Sequence, residues 1–155
     1  MQEFCPIQKR LPPFSNAAPK TLFMRAKKIH IGCSSYNNSE WKNIFYPEEL
    51  PRSKWFAFYT AHFGCYELNA TFYKFPTVRS LASWHAKTPE SFSFSVKAPK
   101  TITHLKKFED CTAELETFYR TCSEGLGKKL KCLLFQLPPS YSYTEARLKL
   151  LLGNL

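Results

Sequence analysis

The stretch Cys65-Tyr66-Glu67-Leu68-Asn69-Ala70-Thr71-Phe72-Tyr73 decides the fold. It reads as a strand, yet Glu67 and Asn69 stand two positions apart and so point to one side of a sheet, while Tyr66, Leu68 and Ala70 point to the other. Burying a carboxylate and a carboxamide without partners costs several kcal/mol. This strand end is therefore read as the floor of a site, and its neighbours are read for what they place beside it.

Working outward, Ile29-His30-Ile31-Gly32-Cys33-Ser34 predicts a strand before it, followed by an aromatic loop from Tyr36 to Tyr46 with a turn at Trp41. Pro51 opens a helix through Trp55, Phe56, Tyr59 and Phe63, with Gly64 as its cap. On the far side, Thr77 caps a helix through Leu81 and His85, and Phe92 to Ala98 alternates as a third strand. A lysine-rich polar loop, Pro99 to Lys107, leads to a helix capped by Asp110 and stopped near Gly125 and Gly127. Lys131 to Leu137 is a fourth strand, and Thr144 caps a last helix ending near Gly153.

Strand and helix thus alternate four times, which predicts an α/β fold with a parallel sheet and helical crossovers. The strands agree in parity. Cys33, Leu68, Val96 and Leu133 fall on a face suited to lie under helices, and Ser34, Glu67, Lys97 and Gln136 fall on the other. Helices on one side only, with the second face turning polar toward the strand C-termini, is the pattern of a TIM-type (β/α) barrel rather than of a doubly wound sheet.

The 155 residues, 44% apolar and 16% aromatic, suit one globular domain, here 29-155, behind a basic, flexible N-terminal extension, 1-28. That extension carries six Lys or Arg against Glu3 alone, half of the net charge of +10. No apolar run reaches the roughly 20 residues of a membrane span. The six cysteines form no Cys-x-x-Cys pair, which points to buried free thiols and a cytoplasmic setting.

Gly32-Cys33-Ser34, Trp41, Phe45-Tyr46-Pro47, Glu67 to Tyr73, Phe94 to Ala98, Thr103-His104 and Phe135-Gln136-Leu137-Pro138-Pro139 together resemble the YecE-like family of domains of unknown function. The resemblance runs from about Lys28 to the C-terminus and implies a TIM barrel of about 250 residues, of which this chain carries the N-terminal four strand-helix units. The family's second half adds charged strand-end residues, including a Glu followed by an Arg-His pair, that are absent here. Where the family shows glycine and an aromatic after Ser34, this chain has Ser35 and Tyr36. The chain is accordingly read as an incomplete barrel, either a fragment or a half that self-associates.

Barrel sites lie at the strand C-termini. Glu67, Lys97 and His104 are the candidate catalytic residues, as a carboxylate beside an ammonium and a loop imidazole for acid/base work. Ser34, Tyr36, Trp41, Asn69, Thr71, Tyr73, Thr103 and Gln136 are the candidate substrate-binding residues. The plainer alternatives are a self-satisfied Glu67-Lys97 ion pair and a His104 that only fixes its turn. Glu67 and His104 offer two metal ligands where a catalytic site needs three, so no metal is assigned, and no cofactor is specified. Lys97, Lys100, Lys106, Lys107 and nearby Arg79 suit an anion, with Tyr36, Trp41, Phe72 and Tyr73 as flat surfaces beside them. The expected ligand is small and anionic or sugar-like, acted on by a hydrolase or isomerase-like barrel. The alternative partner is nucleic acid, held by the lysine loop and the aromatics.

Overall fold

A short first strand, β1 (Gly32–Cys33), can lie against β2 (Cys65–Leu68) only because residue 32 is glycine. A Cβ there would sit 2.1 Å from the Cys65 carbonyl oxygen. The computed structural model describes residues 29–155, so the expected extension over 1-28 lies outside the described residues. β3 (Ser93–Lys97) and β4 (Leu130–Leu134) complete one parallel sheet in the order β1-β2-β3-β4. The α/β class and the four strand-helix units hold, as an open sheet corresponding to half of a (β/α) barrel.

Register confirms the parity. Leu68 pairs with Val96 and Val96 with Leu133, while Glu67 pairs with Ser95 and Ser95 with Cys132. The first set faces α1 (Trp55–His62), α3 (Val78–Ala86) and α4 (Thr112–Leu126). Phe94, Val96, Leu81 and Phe118 are sealed in that layer at 0 to 1% exposure, each such side chain contributing about 2 kcal/mol by burial. Helices α3 and α4 approach closely at Gly125, where a Cβ would lie 2.5 Å from Leu81 Cβ.

Several boundaries differ from those expected. The expected strand over 65–73 stops at Leu68, because Asn69 turns into helical backbone (φ −91°, ψ −19°) and leads into a single turn, α2 (Ala70–Tyr73). The first strand shrinks to two residues. There, the Tyr59 hydroxyl from α1 accepts from the Cys33 amide (2.7 Å) and donates to the Cys65 carbonyl (2.8 Å), standing between the two strands.

Thr77 caps α3 as expected, reciprocally with Ser80. Asp110 does not cap α4: its own φ is +43°, and Cys111 occupies the cap position without a side-chain bond. The lysine-rich segment is no plain loop, since Thr101–Leu105 forms a π-helical turn that buries Ile102. Gly64 lies past α1 without positive φ, whereas Gly127, at φ +50°, does end α4. The last helix, α5 (Glu145–Asn154), is capped by Thr144 and runs through Gly153. β4 ends at Leu134, three residues short of the expected end.

Candidate functional site

The mouth of the sheet is the cluster of strand C-termini. Thr71 anchors it: its hydroxyl lies 2.8 Å from the Leu68 carbonyl and 2.6 Å from the Lys97 carbonyl, and its one proton serves either. The side chain counted among the ligand contacts is thus buried and ties the end of β2 to the end of β3. Ala98 extends the tie by donating to the Leu134 carbonyl at 2.8 Å.

Lys97, the last residue of β3, directs its ammonium over the Phe72 ring, 4.8 Å from the centroid. The His104 ring meets the same phenyl edge-on at 4.9 Å. His104 Nδ1 sits 2.9 Å from the hydroxyl of buried Thr103, which also approaches the Pro99 carbonyl at 3.4 Å. Phe72 is therefore the centre of the cluster, holding a cation on its face and an imidazole at its edge.

The Glu67-Lys97 ion pair does not form. The ion pairs among the described residues are Lys106–Glu114, Lys129–Glu90 and Lys149–Glu145. Register gives the reason: Glu67 lies level with Ser95, one lumen layer below Lys97, whose chain bends toward Phe72. Glu67 instead faces an open concavity of about 500 Å³ shared with His30, Gly32, Cys65 and Ser95. One residue above Leu68, Asn69 donates weakly to the Ser34 carbonyl (3.4 Å), and its buried Oδ1 has no partner among the described residues. An orphaned buried acceptor costs about 1–3 kcal/mol unless something donates to it.

Other expected contacts lie elsewhere. The Tyr36 ring packs on Phe56 and Tyr66 in the layer between sheet and helices. Its carbonyl accepts from the Tyr46 hydroxyl, whose pKa burial pushes up to about 12. Trp41 packs on Phe45 and Tyr46. Tyr73 and Gln136 are exposed. Of the lysines, Lys106 is committed to Glu114 and to the Asp110 carbonyl (2.7 Å), and it holds the Glu114 carboxyl below its ordinary range.

Of the aromatics expected as flat surfaces beside the lysines, Phe72 is the one that meets a cation. Lys129, in Gly-Lys-Lys before β4, gives no signal in the sequence, yet it is 2% exposed. Its ammonium donates to the carbonyls of His85 and Thr88, at 2.8 Å each, where α3 ends. No group of three or more metal-ligating side chains occurs among the described residues, and no helix there is long and apolar enough to cross a membrane.

Comparison with known proteins gives the chain's family. A family model described as "Protein of unknown function DUF72" matches residues 30–155. The chain belongs to the DUF72 family. It is similar to the UPF0759 protein YunF of Bacillus subtilis, 30% identical over 116 residues, a match covering 72% of this chain and 40% of YunF. It is also similar to the crystal structure of a DUF72 family protein from Thermotoga maritima, with 33% identity, a TM-score of 0.66, and coverage of 79% of this chain and 49% of that one. A DUF72 family protein from Enterococcus faecalis shares the fold, at 19% identity and a TM-score of 0.64. The chain thus spans about half the length of the relatives it matches, or less.

Proposed function

We propose that the mouth binds a small anionic, sugar-like ligand, and that Glu67 serves as the acid or base of a hydrolase or isomerase reaction in a closed barrel. The observation that carries this reading is an imbalance at one spot. Among the described residues no carboxylate meets the Lys97 ammonium, which rests on Phe72, and nothing donates to the buried carboxamide oxygen of Asn69 at the end of the neighbouring strand. A phosphate or carboxylate with a neighbouring hydroxyl supplies both missing partners, the charge to Lys97 and the donor to Asn69. His104, at the edge of Phe72, adds a second nitrogen within reach of the same anion. Glu67 lies one layer deeper, facing open volume rather than a cation, so its carboxylate is available to move a proton.

Titrating the chain with glucose 6-phosphate, inorganic phosphate and glucose, followed by calorimetry, tests the proposal. The sugar phosphate should bind best, and Lys97→Met should weaken it at least ~10-fold, about 1.4 kcal/mol. Equal affinity in the wild type and in Lys97→Met would overturn the assignment.

A further inference from the structure

Between β3 and α4 the backbone is strained. Thr101–Leu105 forms the π-helical turn, and just beyond it Lys107, Phe108 and Asp110, none of them glycine, take positive φ at +51°, +70° and +43°. A buried phenylalanine in left-handed backbone persists only where its surroundings over-determine it, and such outliers cluster at functional sites. Here the Phe108 amide donates to the Ile102 carbonyl (3.1 Å) and the Lys106 amide to the Thr101 carbonyl (2.9 Å), while the Lys106 side chain ties the segment to Glu114 and to the Asp110 carbonyl. The turn fixes the pair near its centre: Thr103 is 1% exposed, and His104 stays half-buried beside Phe72.

The donors and acceptors around Thr103 decide where the imidazole proton sits. The Pro99 carbonyl already accepts two amides, from Ile102 at 3.1 Å and from Thr103 itself at 3.3 Å, one for each lone pair. The Thr103 hydroxyl stands 3.4 Å from that carbonyl, beyond the range of a good O–H···O bond, and 2.9 Å from His104 Nδ1. Its single proton therefore belongs to Nδ1. Were Nδ1 protonated instead, the buried hydroxyl would accept from it and keep its own proton without a proper acceptor. With Nδ1 as the acceptor, the one proton of the neutral ring lies on Nε2, which has no hydrogen-bond partner among the described residues.

We propose that Thr103 is a positioning residue that holds neutral His104 as an Nε2–H donor to the anion at Lys97, which makes His104 a binding group and not the general base. The identity of the anion rests on the function proposed above, whereas the tautomer is set within residues 99–104. Lys97 and His104 then take the anion from the face and the edge of Phe72, and Glu67 is left to move the proton. Thr103, expected from the sequence to touch the ligand, acts on it through His104.

Long-range nitrogen–proton NMR correlation of the isotope-labelled chain, on the alkaline plateau of the His104 signals, reads the tautomer in the wild type without any substitution; His104→Gln identifies which signals are its own. One tautomer is expected, with Nε2 protonated and Nδ1 bare. Thr103→Val keeps the shape and deletes the hydroxyl. It should give a mixture of tautomers and weaken glucose 6-phosphate binding about 5-fold, the scale of one hydrogen bond, and Thr103→Ser should restore both. A wild-type ring protonated at Nδ1, or a Thr103→Val variant whose ring and affinity match the wild type, overturns the proposal. A chain that holds Nε2–H, loses it in Thr103→Val and yet binds no sugar phosphate would support the positioning by Thr103 and overturn the ligand reading of the mouth instead.

Discussion

Lys129 and Lys97 stand at opposite ends of the same sheet and are handled in opposite ways. Lys129, just before β4, is 2% exposed, and its ammonium is surrounded by oxygens: the His85 and Thr88 carbonyls at 2.8 Å, the Thr88 hydroxyl at 3.3 Å and, farther off, Glu90 at 3.8 Å. Lys97, at the end of β3, has an aromatic face and, among the described residues, no carboxylate. Burying a cation so completely is tolerable only where fixed dipoles replace its water, and the C-terminal carbonyls of α3 do that. Leaving a cation with its charge unanswered is tolerable only where solvent or a ligand answers it. In barrels of this type the strand N-termini hold the fold together and the C-termini carry chemistry, and the structural place of Lys129 and the ligand-binding role proposed for Lys97 follow that division.

The largest effect should come from the base. Lys129→Met keeps the volume but leaves the Thr88 carbonyl, buried against the former ammonium, without a donor. Urea unfolding should show a loss of about 2 kcal/mol, and sugar phosphate affinity should be unchanged. A variant as stable as the wild type would mean that the α3 terminus is solvated and the comparison fails.

An intermediate effect is expected between β1 and β2. Tyr59→Phe deletes one oxygen and with it the acceptor for Cys33 and the donor for Cys65. Burial holds the Tyr59 pKa well above its ordinary value, so this donor persists across the working pH range. The expected loss is about 1–2 kcal/mol, with faster amide exchange at Cys33. Exchange rates that match the wild type would show that β1 is held by its backbone pairing alone.

How much of this was legible in the sequence follows from the range of the forces involved. Strand parity has a period of two and is written locally, so Glu67, Asn69, Lys97 and Gln136 could be put on one face, and register agrees for Glu67 with Ser95 and Leu68 with Val96. Strand length is not local. β1 is shortened where a hydroxyl arrives from 26 residues away, and β2 ends because Asn69 adopts helical backbone in a stretch whose alternation continues. Lys129 was invisible for the same reason: nothing in Gly-Lys-Lys distinguishes a solvated lysine from one that answers carbonyls more than 40 residues earlier. The mouth was partly legible. Its polar residues share one face as expected, but the Glu67–Lys97 ion pair weighed as the plainer alternative gives way to a cation on Phe72, because register separates Glu67 and Lys97 by a lumen layer.

The smallest effect on stability should therefore come from the mouth lysine. Lys97→Met surrenders only a cation–π contact on a half-buried ring, worth about 0.5–1 kcal/mol, and a thioether on Phe72 recovers part of that. The urea midpoint should move by less than for either variant above, while the sugar phosphate titration shows the full loss of affinity. That dissociation of stability from binding is the sharpest test of the comparison. If Lys97→Met destabilised the chain by as much as Lys129→Met, its ammonium would be holding the strand ends together as Thr71 does, and the unanswered charge at the mouth would no longer mark a place for a ligand.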